Sequence, residues 1–321
     1  MTLASFFTVS IVQSALEQGC IYALVALALY ISFTTLKLCD LSTDGCFTMG
    51  CAIGAQVALL GHPILALFAS MGAGVCSGYV TAFLQTRLKI ESILAGIIVN
   101  TGLYTINLAI MGWGTSAGFS STINMFQATT IFDMAKNWMY DLVGSWYKLI
   151  VVVVILAIVS VALLFFFRTR LGLSIRATGD SLDMVKASSI NPAVMITIGL
   201  CVANAFTALS GSLLGQYQKS CDINLGTGMV TIALASLIIG LTLVGARKGG
   251  IGRQILGVAL GSCLYRFIIA IALRFNIDAS MLKLISAIIV CIAISFPQVR
   301  LMVMFTRRRV LARRDRGDYE C

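Results

Sequence analysis

Long apolar runs alternate with short polar breaks along most of the chain. Runs of that length fit a hydrocarbon core about 30 Å thick, which takes roughly 20 helical residues to cross. They read as spans near 10–35, 44–60, 64–84, 92–112, 148–167, 192–216, 229–245, 254–273 and 280–297, about nine in all. Eight to ten are compatible with the pattern, because the second run is short and Gly-rich. Barrel strands alternate over about 9–11 residues, and these runs are longer and continuously apolar, so every span is expected to be a helix. The chain is read as an all-α polytopic membrane protein.

Two breaks are longer than the rest. Residues 113–147 place Trp113, Trp138, Trp146 and Tyr147 at interface-like positions, and a short surface helix is expected there. Residues 168–191 form a basic loop, in which Gly179 is expected to break the chain and Asp180 or Ser181 to cap a new helix. Asp183 stands where a capping-box partner would help, and Leu182, Val185 and Ile190 make a small apolar face. Asn191 followed by Pro192 is a second cap that launches the next span. Such a helix, lying on the membrane surface, fits a groove on a cytoplasmic partner. The residues expected to couple to it are Arg176, Gly179, Asp180, Leu182, Asp183, Val185 and Lys186.

Composition fixes the class. Hydrophobic residues make up 59% and charged ones 11%, with mean hydropathy +0.95; soluble domains carry about 25% charged residues. Most of the 23 Lys and Arg fall in segments that share a side with the C-terminus, notably Arg168, Arg170, Arg176 and Lys186, and the run from Arg300 to Arg316. The positive-inside rule therefore puts the C-terminus in the cytoplasm, and nine spans then put the N-terminus outside. The net charge of +10 comes mainly from loops facing anionic lipid, and no nucleic-acid partner is expected. No cleavable signal peptide is expected, since the first apolar run has no basic leader. Of the ten cysteines most sit inside spans, where they act as small hydrophobes, and no metal or disulfide role is expected. The single histidine, His62, is read as part of a turn.

A faint repeat organises the chain. Gly74, Cys76, Arg87, Ile90 and Glu91 match Gly261, Cys263, Arg274, Ile277 and Asp278 at one constant offset. The first Arg-x-x-Ile-acid turn is cytoplasmic and the second external, so the halves should run in opposite directions, as in many transporter folds. The expected parts are a first transmembrane repeat (1–112), an external loop with a surface helix (113–147), a connecting span with a cytoplasmic coupling loop (148–191), a second repeat (192–298) and a basic tail (299–321). Four G-x-x-x-G pairs, Gly50/Gly54, Gly74/Gly78, Gly211/Gly215 and Gly257/Gly261, are read as close packing within the chain.

Several chemistries find no support. There is no G-x-x-x-x-G-K-[ST] or H-E-x-x-H. Ion-coupled carriers keep carboxylates at membrane depth. Here Glu17 alone lies well inside a span, with Asp40, Asp44 and Glu91 expected near the cytoplasmic edge. Energy is therefore expected from another chain, with an ion-coupled secondary carrier as the alternative. Polar residues within spans are candidates for a translocation path: Asn100, Thr101, Tyr104 and Asn107 in one helix, and Asn204, Ser210 and Gln216 in the second half. Asn100, Tyr104 and Asn107 share one helical face by spacing, and an interhelical hydrogen-bond role is an equal alternative for each. Arg266 is read as structural.

Segments Asp40–Gly50, Leu88–Gly96, Leu103–Leu108, Arg168–Asp180, Ala208–Tyr217, Gly261–Arg266 and Leu282–Ala287 resemble permease subunits of ABC importers of the branched-chain amino acid and ribose type. Within these the chain looks most like the tryptophan/tyrosine importer permeases of Gram-positive bacteria. The resemblance implies the inverted-repeat type II importer fold in a bacterial cell membrane. It also implies a homodimer, two cytoplasmic ATPase subunits that hold the ATP and Mg, and an external substrate-binding lipoprotein, with no cofactor on this chain. The coupling helix would map to about 180–189. The chain departs from the resemblance at Ser189, where relatives usually have Gly, and at Leu237–Leu241, which has leucine where relatives often show an acid. A small polar solute, aromatic amino acid first and branched-chain amino acid or monosaccharide next, is the implied cargo.

Overall fold

The computed structural model describes residues 9–114, 118–244 and 250–274, plus the isolated positions 284, 287, 288, 291 and 295. Of the expected ninth span (280–297) only those isolated positions are described, and the basic tail (299–321) and the repeat partners Ile277 and Asp278 lie outside the described residues.

Among the described residues, six helices are long and apolar enough to cross a membrane. They belong to α1 (Val9–Leu29), α3 (Pro63–Thr86), α4 (Ser92–Met111), α6 (Tyr147–Arg168), α9 (Pro192–Gln218) and α11 (Ile251–Arg274). A π-helical turn, Tyr30–Thr35, prolongs α1. Two shorter helices, α2 (Thr43–Leu59) and α10 (Met229–Val244), complete the bundle. The chain is an all-α, multi-pass membrane protein.

Surroundings explain which helices are apolar all round. In the span containing α6, the most hydropathic window is 22% buried and averages 3.5, whereas that of α1 is 83% buried and averages 1.6. A helix wrapped by protein does not need a lipid-compatible surface, so α1, α2 and α9 can carry polar and small residues. On α2 nearly every residue from Thr43 to Ala55 is buried.

The halves run in opposite senses. α9 lies antiparallel to α1, with Ser210 Oγ donating to Ile21 O and Tyr217 reaching Glu17. It is also antiparallel to α3, where Cβ atoms on Gly74 and Gly78 would strike Asn204 and Leu200. α2 runs parallel to α9, Gly50 facing Ala208 and Gly54 facing Ser212. In the second half α11 is antiparallel to α1 (Ser262 Oγ to Gly19 O, and the Tyr30 hydroxyl to Gln254) and to α10 (Gly257 against Gly240, Gly261 against Ser236). Each first helix therefore packs on the third helix of the other half. All four G-x-x-x-G pairs lie at these crossings, where no Cβ fits at Gly50, Gly211 or Gly261 without striking a backbone carbonyl.

Two strands, β1 (Thr122–Asn124) and β2 (Ser220–Asp222), pair antiparallel. With the surface helix α5 (Ile131–Val143) they form a collar at the C-terminal end of α9. The strands are absent from the apolar pattern because each is only three residues long.

Candidate functional site

The end of the bundle opposite the collar is built by the 168–191 segment. α6 stops at Arg168, and Thr169 caps α7 (Arg170–Asp180) by accepting from Gly172 N at 3.2 Å. At Gly172 any Cβ would strike the Phe166 carbonyl, so glycine permits this tight reversal. Gly172, Ile175 and Thr178 form the buried face of α7, with Ile175 packed among Leu36, Ala82, Met195 and Leu200. Leu171, Leu173 and Arg176 face outward.

Gly179 was expected to break the chain; it is instead inside α7. A Cβ there would strike the carbonyl oxygen of Thr35, so the glycine lets α7 press against the end of α1. The break falls at Ser181, whose extended backbone closes α7 and whose hydroxyl accepts from Met184 N at 3.4 Å to start α8 (Leu182–Ala187). Asp183 falls one position short of the third helical residue, so it makes no capping box with Ser181. Val185 is 1% exposed and anchors α8, while Met184 is 69% exposed and Leu182, Asp183 and Lys186 also face out. Asp180 pairs with Lys37 at 3.1 Å, and both side chains are well exposed, so the pair adds little stability. Ser189 adopts φ +59°, with Ile190 N donating to Val185 O and Ser189 N to Lys186 O. That is a Schellman turn with serine at the left-handed position that favours glycine. Asn191 caps α9 by accepting from Ala193 N at 3.0 Å, with Pro192 next, as the sequence indicates.

The polar span residues do not share one face. Asn107 is buried and donates to Gly45 O at 3.1 Å, Asn100 lies half-buried against Gly45, and Thr101 hydrogen-bonds back to Ile97 O. Tyr104 is 51% exposed on the outer surface of α4. The expected common face of Asn100, Tyr104 and Asn107 is therefore split, because α4 touches α2 along a strip too narrow to include Tyr104. The three candidates on α9 meet three different neighbours. Asn204 donates to Asp40 at 3.1 Å, Ser210 to Ile21 O at 2.7 Å, and Gln216 bridges Pro63 O and Ile131 N.

Asp40 and Asp44 correct the expectation of a cytoplasmic edge. Asp40 is 2% exposed and accepts from Ser42 N at 2.8 Å and from Asn204. Asn204 stands about 18 Å along α9 from its start, at roughly 1.5 Å per residue. The loop from 36 to 42 thus folds back into the bundle. Asp44 accepts from Gly228 N at 3.0 Å and Val230 N at 2.9 Å, so a carboxylate of α2 caps the first turn of α10. Thr48, one turn on, accepts from Gly226 N at 3.1 Å. The Asp44–Thr48 spacing, facing a Gly-x-Gly pair at 226–228, is the sequence signal for this joint.

The 113–147 break contains a short helix, α5. Thr130 and Asp133 cap α5 reciprocally, and Lys219 meets Asp133 at 2.8 Å. Burial alone would raise the Asp133 carboxyl. The Lys219 ammonium and the Thr130 amide and hydroxyl outweigh it and hold the group below its usual range. Trp113, Phe126 and Trp138 project into the surroundings, Trp138 at 85% exposure.

A model of the family described as branched-chain amino acid transport system, permease component, matches residues 11–294. The chain belongs to that family. A tyrosine transport system permease protein of Clostridioides difficile is similar, 32% identical over 86% of this chain and 88% of its own. An uncharacterized protein of Rickettsia prowazekii is 30% identical over 89% of this chain and 97% of its own. The ribose import permease protein of Escherichia coli K12 is more distant, 21% identical over 90% and 86%. No solved structure matches this permease.

Proposed function

We propose that this permease forms the translocation path of an ATP-driven importer of aromatic amino acids. The observation that carries the solute class is the 32% identity, over most of both chains, with a permease named for tyrosine transport, against 21% with one named for ribose. Two ATPase subunits, which hold ATP and Mg, engage the surface made by α7 and α8, and a second permease copy completes the path. An external binding lipoprotein delivers solute to the collar. The translocation role is assigned to Asn100, Thr101 and Tyr104, the path candidates that remain wholly or partly accessible. Asn107, Asn204, Ser210 and Gln216 serve as interhelical ties whose partners exchange as the path opens.

Support for the docking surface is physical. Leu171, Leu173, Leu182 and Met184 expose apolar groups on short polar helices rather than on a lipid-facing span. An apolar patch ringed by Arg176, Asp183 and Lys186 suits a protein groove. Replacement of Leu182 by Glu is expected to lose co-purification of the ATPase chains and at least about tenfold in uptake, with membrane insertion unchanged. Normal co-purification would move the docking surface elsewhere. Competition of uptake by tyrosine, leucine and ribose is expected to succeed with tyrosine alone.

A further inference from the structure

Arg266 is a cation within a span, set about two turns before the end of α11. Its guanidinium carbon lies 3.6 Å from the ring centroid of Tyr22 on α1. That ring stacks in turn on Phe47 of α2, with centroids 6.3 Å apart and planes 11° from parallel. Three helices, one from the second half and two from the first, thus fix the guanidinium in place. Its Nε is buried and makes no hydrogen bond. The two ion pairs among the described residues, Lys37–Asp180 and Lys219–Asp133, leave Arg266 out. The residue as a whole is only partly buried.

A cation inside a membrane protein is costly unless it meets an anion, and a ring face compensates only in part. The planar fork of arginine fits a carboxylate through two parallel hydrogen bonds. The aromatic platform holds that fork in place. We propose that Arg266, held on Tyr22, is a transient station for the carboxylate of the amino acid crossing the membrane. This rests on the amino-acid reading given above, because a monosaccharide offers the guanidinium no anion. A station of this kind must bind weakly, so that solute leaves again. A single guanidinium on a stacked ring, outside both ion pairs, meets that need better than a closed, multiply bonded pocket.

The test uses the complete complex in proteoliposomes, wild type beside Arg266→Gln and Arg266→Lys. It reads uptake of labelled L-tyrosine, ATP hydrolysis stimulated by loaded binding protein, and the thermal midpoint of the assembled complex. Arg266→Gln is expected to lower uptake at least about tenfold, the loss for one charge-assisted contact, while hydrolysis and the midpoint persist. Arg266→Lys keeps the charge and is expected to recover most of the uptake. Uptake by the Gln variant within about twofold of wild type would overturn the assignment. So would a Lys variant as poor as Gln, or a Gln variant that fails to assemble, since each marks a purely structural arginine. A wild-type complex that imports a monosaccharide and not tyrosine would instead overturn the substrate reading, which separates the two failures.

Discussion

The first triplet, α1–α3, and the second, α9–α11, follow one plan in opposite directions, yet their middle helices start differently. α2 starts at Thr43–Asp44 and carries a carboxylate within its first turn. α10 starts at Met229 with no acid and takes its cap from Asp44, across the bundle. The first helices also differ at their ends. α1 finishes in a π-helical turn and a left-handed Lys37, while α9 runs unbroken for 27 residues to a left-handed Lys219. Each lysine then meets an acid, Asp180 at one end and Asp133 at the other. The repeated plan supplies the shape. The polar chemistry is placed unequally, on the first half and on α9, where those elements meet.

The largest expected effect breaks the shared shape in both halves alike. Gly50→Leu and Gly240→Leu each drive a side chain into a facing backbone carbonyl, at Ala208 and Gly257. Rigid backbone cannot give way, so folded, monodisperse protein should be lost in both, at more than about 3 kcal/mol each. Gly102→Leu, where nothing lies within 4 Å, should be tolerated. If Gly240→Leu folds well while Gly50→Leu does not, the two crossings are not equivalent.

Polar changes should instead separate the halves. Asn204→Leu leaves the buried Asp40 carboxylate short of a donor and is expected to cost about 2–3 kcal/mol. Asp44→Ala strips the cap from α10 and is expected to cost about 1–2 kcal/mol. Thermal unfolding in detergent checks both, with Asp44→Asn expected to fall in between. No comparable loss is expected from Thr231→Ala near the start of α10, whose hydroxyl bonds only to Gly228 O within its own turn.

Glycine at the left-handed positions gives smaller shifts. Ser189→Gly and Lys37→Gly should each stabilise by about 1 kcal/mol through relief of backbone strain. Lys219→Gly should gain less, because it gives up a less exposed ion pair. The Asp133 carboxyl, held below its usual range, adds stability above about pH 4 that is lost as the pH falls through its folded value. Melting curves from pH 6 to 3 should therefore fall faster for wild type than for Lys219→Met.

Much of the architecture was legible in the sequence because lipid-facing helices must be apolar and long. The Asn191–Pro192 cap, the glycine pairs and the opposed halves were likewise readable, since each rests on local or offset patterns. The joint at Asp40, Asp44 and Gly228 was not. A loop that folds back into a bundle has no periodicity, and its acids look like those of any cytoplasmic turn. Gly179 misled for a related reason, because a glycine that admits a neighbouring carbonyl has the same letter as one that ends a helix. The common face expected for Tyr104 and Asn107 failed because spacing gives direction on a helix and says nothing of how wide the neighbour is.

In the proposed function, the permease moves solute only when nucleotide is hydrolysed by partner chains on its α7–α8 side. Tyrosine accumulation in proteoliposomes, with ATP and a regenerating system inside and loaded binding protein outside, tests this most directly. Concentrative uptake is predicted only when the ATPase chains and ATP are both present, and to be insensitive to a protonophore. Accumulation by the permease alone, or collapse on addition of the protonophore, would contradict it.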